Sequence, residues 1–152
     1  MISPHFSLEE FTKSQAAIRL GIDNTPPPEH LTNLKRLCEN VLEVVRENLG
    51  SIHVNSGYRC RELNKLIGGV ATSQHCNGEA ADIEIPGTPN GDLAKWIAAN
   101  CDYDQLILEC YKTGVPTSGW VHVSYKAEGN RKQSLTAAVV GGKMTYVKGI
   151  HP

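Results

Sequence analysis

The sequence predicts an α+β domain in which N-terminal helices pack on a mostly antiparallel sheet. Apolar residues recur at three- and four-residue steps early in the chain, apolar and polar residues alternate in short runs further on, and Gly141-Gly142-Lys143 has the composition of a hairpin turn. The length of 152 residues favours one domain, residues 1–152, with one core.

Helix signals dominate the N-terminal part. Ser7-Leu8-Glu9-Glu10 has the pattern of a capping box, which predicts a helix that runs to about Leu20 and ends at Gly21. The prolines at 26–28 suit the first turn of the next helix. That helix is long and amphipathic and ends at Gly50. Its predicted core stripe is Leu31, Leu34, Cys38, Val41, Leu42, Val45 and Leu49.

The rest of the chain predicts short elements separated by turns. Predicted strands occupy residues 52–55, 80–85, 105–110, 120–125, 136–140 and 144–147. Two further helices are predicted, one at 61–67 and one that Asp92 caps and that runs to about Asn100.

Strand alternation predicts which side chains share a face of the sheet. Asp82, Glu109 and His122 each lie on the more polar side of their strand. The opposite sides are mostly apolar and suited to packing on helices: Ala81, Ile83, Ile85, Leu106, Leu108, Cys110, Val121, Val123 and Tyr125. The three polar side chains are therefore expected to contribute to one site.

The residue types at that site predict a zinc centre with one ion per chain. His75, Asp82 and His122 supply two imidazoles and one carboxylate, which leaves one zinc position open, as in catalytic sites. Ordinary alternatives remain, because a lone strand histidine is more often a surface or core residue and Asp82 could cap a turn. Glu109 is harder to explain without a function, since burying an unpaired carboxylate is costly.

Composition argues against several partners. The net charge of −1 offers no basic excess for nucleic acid, and no apolar stretch is long enough to insert into a membrane. We expect a monomer. The N-terminus lacks the pattern of a secretory signal, so we expect synthesis in the cytoplasm without a signal peptide.

The five cysteines are odd in number and none has C-x-x-C spacing, which predicts free thiols. Cys76 follows His75 directly, but adjacent side chains of an extended segment point apart. It is therefore not expected to be a metal ligand.

Two motifs resemble those of a known family. Ser73-x-His75-x-x-Gly78-x-Ala80-x-Asp82 and Trp120-Val121-His122-Val123-Ser124 are similar to the motifs of the M15 zinc peptidases, which include D-alanyl-D-alanine carboxypeptidases, D-Ala-D-Ala dipeptidases and phage L-alanyl-D-glutamate endopeptidases. The likeness is strongest to the small phage and prophage branch and covers about residues 5–125. It implies the fold that the hedgehog signalling domain and these peptidases share.

The resemblance also implies roles. His75, Asp82 and His122 correspond to zinc ligands. Arg59 corresponds to an arginine that holds substrate or polarises its carbonyl, and its fork suits a carboxylate or an anionic oxygen; the ordinary alternative is a surface ion pair. Ser73 matches a hydroxyl residue near substrate, although it could simply stabilise the turn before His75. Gln105 is expected to bind substrate together with Arg59 and Ser73.

One position departs from the family pattern. Many members carry the catalytic acid three residues before the last zinc histidine, where this chain has Gly119. Glu109 is the best substitute, because it has the right chemistry, strand face and apolar setting. Glu84 is the second candidate, and the absence of any side-chain base is the third possibility.

The resulting expectation is a zinc-dependent peptidase that hydrolyses peptidoglycan stem peptides, as a phage or prophage lysis enzyme acting on the wall after release. Whether it would be an endopeptidase or a carboxypeptidase stays open. The alternative is a non-catalytic zinc-binding domain with a binding or virion-associated structural role, which the loss of the usual acid at Gly119 would favour.

Overall fold

The structure, a computed structural model, describes residues 1–152. Its helices are α1 (Leu8–Thr12), α2 (Gln15–Leu20), α3 (Pro28–Leu37), α4 (Glu43–Leu49), α5 (Arg61–Leu66) and α6 (Asn90–Asn100), with a π-helical segment, Cys38–Leu42, between α3 and α4. Its strands are β1 (His53–Ser56), β2 (Ala80–Glu84), β3 (Gln105–Glu109), β4 (Trp120–Ser124), β5 (Gln133–Val140) and β6 (Lys143–Lys148). None of the helices has the length and apolar character needed to cross a bilayer.

The strands form one six-stranded sheet in the order β1-β2-β4-β3-β5-β6. Every neighbouring pair is antiparallel except β3 and β5, which run parallel. The prediction of an α+β fold with a mostly antiparallel sheet is therefore confirmed.

One face of the sheet packs against the helices and forms part of the hydrophobic core. Ala81, Ile83, Leu106, Leu108, Val121 and Val123 of the central strands are all fully buried there. They share a cluster of 23 buried residues with side chains from the helices, including Leu34, Leu37, Leu93 and Ile97. The predicted alternation is thus correct for β2, β3 and β4, and it leaves the opposite face of these strands to polar residues.

The prediction of one helix from Ser7 to Leu20 is wrong in its middle. The backbone leaves helical geometry at Lys13, where ψ is 133°. Ser14 then caps α2, since its hydroxyl accepts a hydrogen bond from the Ala17 amide at 3.1 Å. Two helices result because Ser14 acts as a second N-cap and starts a new helix. The predicted ends are correct: the Glu10 carboxylate accepts from the Ser7 amide at 2.7 Å, and Gly21 adopts a left-handed conformation.

The other differences are smaller. The long helix predicted up to Gly50 is helical throughout but contains the π-helical segment. Asp92 does not cap α6, because the helix begins at Asn90 after Pro89, and Asp92 lies in its first turn. Strands predicted to end at 85, 110 and 125 each end one residue earlier. At Cys110 the reason is local, since a φ of 56° ends the extended conformation.

Candidate metal centre

Asp82 and His122 lie directly opposite each other on β2 and β4. Paired residues of antiparallel strands point to the same face, so both side chains project from the sheet away from the core. His122 Nδ1 lies 3.0 Å from Asp82 Oδ1. Burial alone would raise the pKa of the Asp82 carboxyl, but the hydrogen bond from His122 and the nearby His75 ring outweigh it and hold this pKa well below its usual range.

His75 reaches the same point from outside the sheet. It lies in a 3₁₀ turn, Gln74–Asn77, that begins at Ser73. Its Nδ1 donates a hydrogen bond to the carbonyl oxygen of Gly57 at 2.7 Å, and the residue is only 3% exposed. With the proton held on Nδ1, the lone pair of Nε2 faces Asp82 Oδ1 at 3.4 Å. In most metal-binding histidines, the ring nitrogen that does not bind the metal donates such a hydrogen bond, which orients the ring.

The three side chains fit a zinc ion. Their candidate ligand atoms all lie within 4.8 Å of one another. Ligand atoms about 2.1 Å from a tetrahedral zinc would lie about 3.4 Å apart. Asp82 Oδ1 lies 3.4 Å from His75 Nε2 and 3.0 Å from His122 Nδ1, which is close to that value. Two imidazoles and one carboxylate are also a donor set of catalytic zinc sites. His75, Asp82 and His122 could therefore hold the ion with small adjustments.

Cys76 is not part of this cluster, but the prediction that His75 and Cys76 lie in an extended segment is wrong. Residues 74–77 form a 3₁₀ turn and are not extended. The Cys76 side chain instead lines a separate pocket with Arg61 and Lys65, and burial raises the pKa of its thiol. All five cysteines are free.

Arg59 lies next to His75 and makes no ion pair. Its backbone amide donates to the His75 carbonyl oxygen at 3.1 Å. Its guanidinium donates only one long hydrogen bond, 3.4 Å, to the Ser73 hydroxyl, and its Nε is buried without a partner. No carboxylate lies within 4.0 Å of it. The surface ion pair considered as an alternative is thus absent, and the cation has donors left for a ligand.

Ser73 has two contacts. Its hydroxyl oxygen accepts hydrogen bonds from the His75 amide at 3.2 Å and from Arg59. It therefore stabilises the turn before His75, as the alternative interpretation held, and it also orients the arginine.

Glu109 lies on the sheet face of the metal cluster, at the end of β3. Its Oε2 accepts a hydrogen bond from Trp120 Nε1 at 2.9 Å, which holds the carboxyl in place. Burial and the nearby Asp82 charge raise its pKa above the ordinary value for glutamate. A raised carboxyl pKa is closer to neutral pH, where proton transfer in both directions is efficient.

Glu84 is a weaker candidate for the base. Its two carboxylate oxygens accept hydrogen bonds from Asn55 at 2.8 Å and Asn90 at 3.1 Å. It lines a different pocket, around Pro86 and Pro116, and not the groove of the metal cluster.

An open groove of about 960 Å³ brings the candidate residues together. The sequence-predicted residues that line it are Arg59, Ser73, His75, Asp82, Gln105, Glu109 and His122. Gln105 lies at its side, where its side-chain amide donates to Gln133 at 2.9 Å. The sequence interpretation missed Arg131, Met144 and Tyr146, which line the same groove. The only sequence signal for the last two was their alternation with Thr145 and Val147 in β6.

Gly119 cannot carry a side chain in this structure. Its φ is +67°, and a Cβ there would overlap the Glu109 carbonyl oxygen and lie 2.7 Å from the Tyr111 amide nitrogen. The backbone of β3 thus occupies the space that a side chain at 119 would need. An acidic side chain at position 119 is excluded because the backbone of residues 109–111, at the end of β3, lies too close to it.

We expect Gly119→Ala to destabilise the protein by about 3 kcal/mol, because it combines a left-handed φ with a backbone overlap. This loss corresponds to a fall in melting temperature of roughly 6–12 °C by calorimetry. Gly114→Ala is the matched control, since Gly114 also has a positive φ, +83°, but open space around it. It should cost only about 1–2 kcal/mol. Equal losses in the two variants would show that the overlap at Gly119 is relieved without cost.

Two imidazoles and one carboxylate converging in an open groove are the features of a metal-dependent hydrolase. A family model described as Peptidase M15 matches residues 4–124, which include all three candidate ligands and end with β4. The chain therefore belongs to the M15 peptidase family, as the motif resemblance indicated, and the family makes it a metallopeptidase. M15 peptidases are typically zinc-dependent. A search of curated proteins found no match for this chain.

Proposed function

We propose that this protein is a zinc-dependent peptidase that hydrolyses a peptide bond in the stem peptides of bacterial peptidoglycan. The observation that carries the proposal is the convergence of His75, Asp82 and His122 within 4.8 Å in an open groove. Family membership supports the peptidase activity. The choice of wall peptides as substrate rests on the motif resemblance to the phage and prophage branch. The same resemblance supports the proposed biological role, in which the enzyme lyses the cell after it is released from the cytoplasm and reaches the wall.

Zinc bound to His75, Asp82 and His122 would polarise the scissile carbonyl and lower the pKa of a water molecule. In the proposed mechanism, Glu109 takes the proton of that water and delivers it to the leaving amine. Because Oε2 is held by Trp120, Oε1 is the atom free to carry the proton. The raised pKa of Glu109 suits both halves of this transfer.

Arg59 is proposed to bind the substrate. Its guanidinium has no carboxylate partner and donates a hydrogen bond only to Ser73, and Arg59 lines the groove. A fork of N–H donors next to the metal cluster can bind a substrate carboxylate or the oxyanion that develops during hydrolysis. Such a contact is strongest in a partly buried site, where water competes less.

We expect Arg59→Lys to lower kcat/KM at least about tenfold with little change in melting temperature. Lysine keeps the charge but loses the planar fork, and the single 3.4 Å hydrogen bond to Ser73 contributes little stability. Arg61→Lys is the matched control, since Arg61 is exposed and does not line the groove. The substrate role fails if Arg59→Lys and Arg61→Lys are equally active.

A non-catalytic zinc-binding domain is the second candidate function, and the glycine at 119 favours it. One assay separates the two proposals: purified peptidoglycan is digested with the zinc-loaded protein, with and without chelator, and the products are identified by mass spectrometry. The peptidase proposal predicts new amine termini at one type of stem-peptide bond, lost on chelation. Intact stem peptides with zinc still bound would refute the peptidase and support the binding domain.

A further inference from the structure

We infer that Met144 and Tyr146 form a remote apolar subsite for the peptide substrate, so that the enzyme acts preferentially on cross-linked stem peptides. This inference rests on the proposed function and concerns the extent of the same groove. Both residues belong to the β5–β6 hairpin, which lies beyond the residues 4–124 that match the family.

The sheet register places these side chains on the catalytic face. Glu109 pairs with Ala137, and Ala137 pairs with Tyr146. Residues paired across neighbouring strands point to the same side of a sheet, so Tyr146 shares the face of Glu109. Met144 lies two residues earlier on β6 and therefore points the same way. Both side chains line the groove that contains the metal cluster.

The chain covers this apolar surface only in part. Met144 is 42% exposed and Tyr146 is 54% exposed, although both are large side chains that gain from burial. An exposed apolar surface at the side of a catalytic groove is the usual arrangement of a substrate subsite, where the ligand provides the missing contacts. Methionine adapts to irregular ligand shapes, and tyrosine offers a rigid ring with a hydroxyl group at its edge.

The distance from the metal cluster sets the length of the substrate. Going from β4, which carries His122, to β6 crosses three strand spacings, or about 14 Å at ~4.8 Å each. An extended peptide advances about 3.3–3.6 Å per residue. A substrate with its scissile bond at the metal cluster would therefore reach Tyr146 about four residues further along. A monomeric stem peptide has fewer than four residues on either side of most of its bonds and falls short of Tyr146, whereas a cross-linked pair of stems reaches it.

The test compares two substrates from one wall preparation, monomeric stem peptides and cross-linked dimers. We expect the zinc-loaded protein to prefer the dimers. Tyr146→Ala should lower the ratio of kcat/KM for cross-linked dimers to kcat/KM for monomeric stems about tenfold, through a higher KM for the cross-linked substrate. Val147→Ala is the matched control, because Val147 is equally exposed, 54%, but pairs with Thr136, which pairs with Leu108 of the core face. This control should cleave both substrates normally.

Three results would overturn the subsite. The first is no preference for cross-linked substrate, and the second is equal kinetics of Tyr146→Ala and Val147→Ala. The third is a homodimer of the protein, detected by light scattering, that Tyr146→Ala dissociates. The last would mean that the hairpin binds a second copy of the chain. Failure of the proposed function looks different, since the unaltered protein would then hydrolyse neither substrate with zinc bound.

Discussion

Glu109→Gln should slow wall-peptide hydrolysis by about 10²–10⁴-fold while zinc stays bound. Glutamine keeps the size of the side chain and can still contact Trp120, but it cannot accept the water proton. Glu109 is not among the residues whose ligand atoms cluster, so the metal content should not change. The measurement is kcat on a defined stem peptide, with zinc counted by atomic absorption in the same sample.

Glu84→Gln is the matched control for this experiment. Glu84 is also a glutamate at a strand end, but two asparagines hold its carboxylate and it does not line the groove. It should retain normal activity. A Glu109→Gln protein with zinc bound and near-normal hydrolysis would remove Glu109 from the mechanism. Loss of activity in Glu84→Gln would then identify that residue as the base, and normal activity in both would mean that no side-chain base is used.

His122→Ala should lose most of the bound zinc and, with it, hydrolysis. Two remaining ligands, His75 and Asp82, would leave a much weaker site. Removal of the imidazole also leaves the Asp82 carboxylate without its 3.0 Å hydrogen bond from His122. Zinc binding adds to the stability of the native state, by about 2.7 kcal/mol at a free zinc concentration 100 times Kd. The variant should therefore melt at a lower temperature than the zinc-loaded protein and respond little to added zinc.

His53→Ala is the control, because His53 is exposed on the edge strand β1 and does not line the groove. It should bind one zinc ion per chain and melt normally. Full zinc retention by His122→Ala would refute the ligand assignment, whatever its effect on activity, because the metal is counted directly.

The positions of Gly119 and Glu109 are physically linked. The left-handed glycine lets the β3 backbone approach closely, and the same stretch of backbone carries Glu109. The β3 backbone therefore excludes a side chain at 119 whatever residue occupies position 109.

Much of the site could be predicted from local sequence alone. Strand side chains alternate with a period of two, so the pattern of β2, β3 and β4 predicted a shared face for Asp82, Glu109 and His122, and the motif resemblance strengthened that prediction. The residue types of the cluster predicted a possible zinc site, because zinc preferences are a property of the ligands themselves. The fold class also followed from periodicity.

Tertiary structure decided the features that depend on partners distant in sequence. The Gly57 carbonyl orients His75 across 18 residues. Hydrogen bonds from Asn55 and Asn90 occupy both carboxylate oxygens of Glu84. Tyr146 reaches the groove only through the register of β3, β5 and β6. Such contacts depend on which strands pair and how closely two backbones approach, and neither is encoded in the period of a single segment.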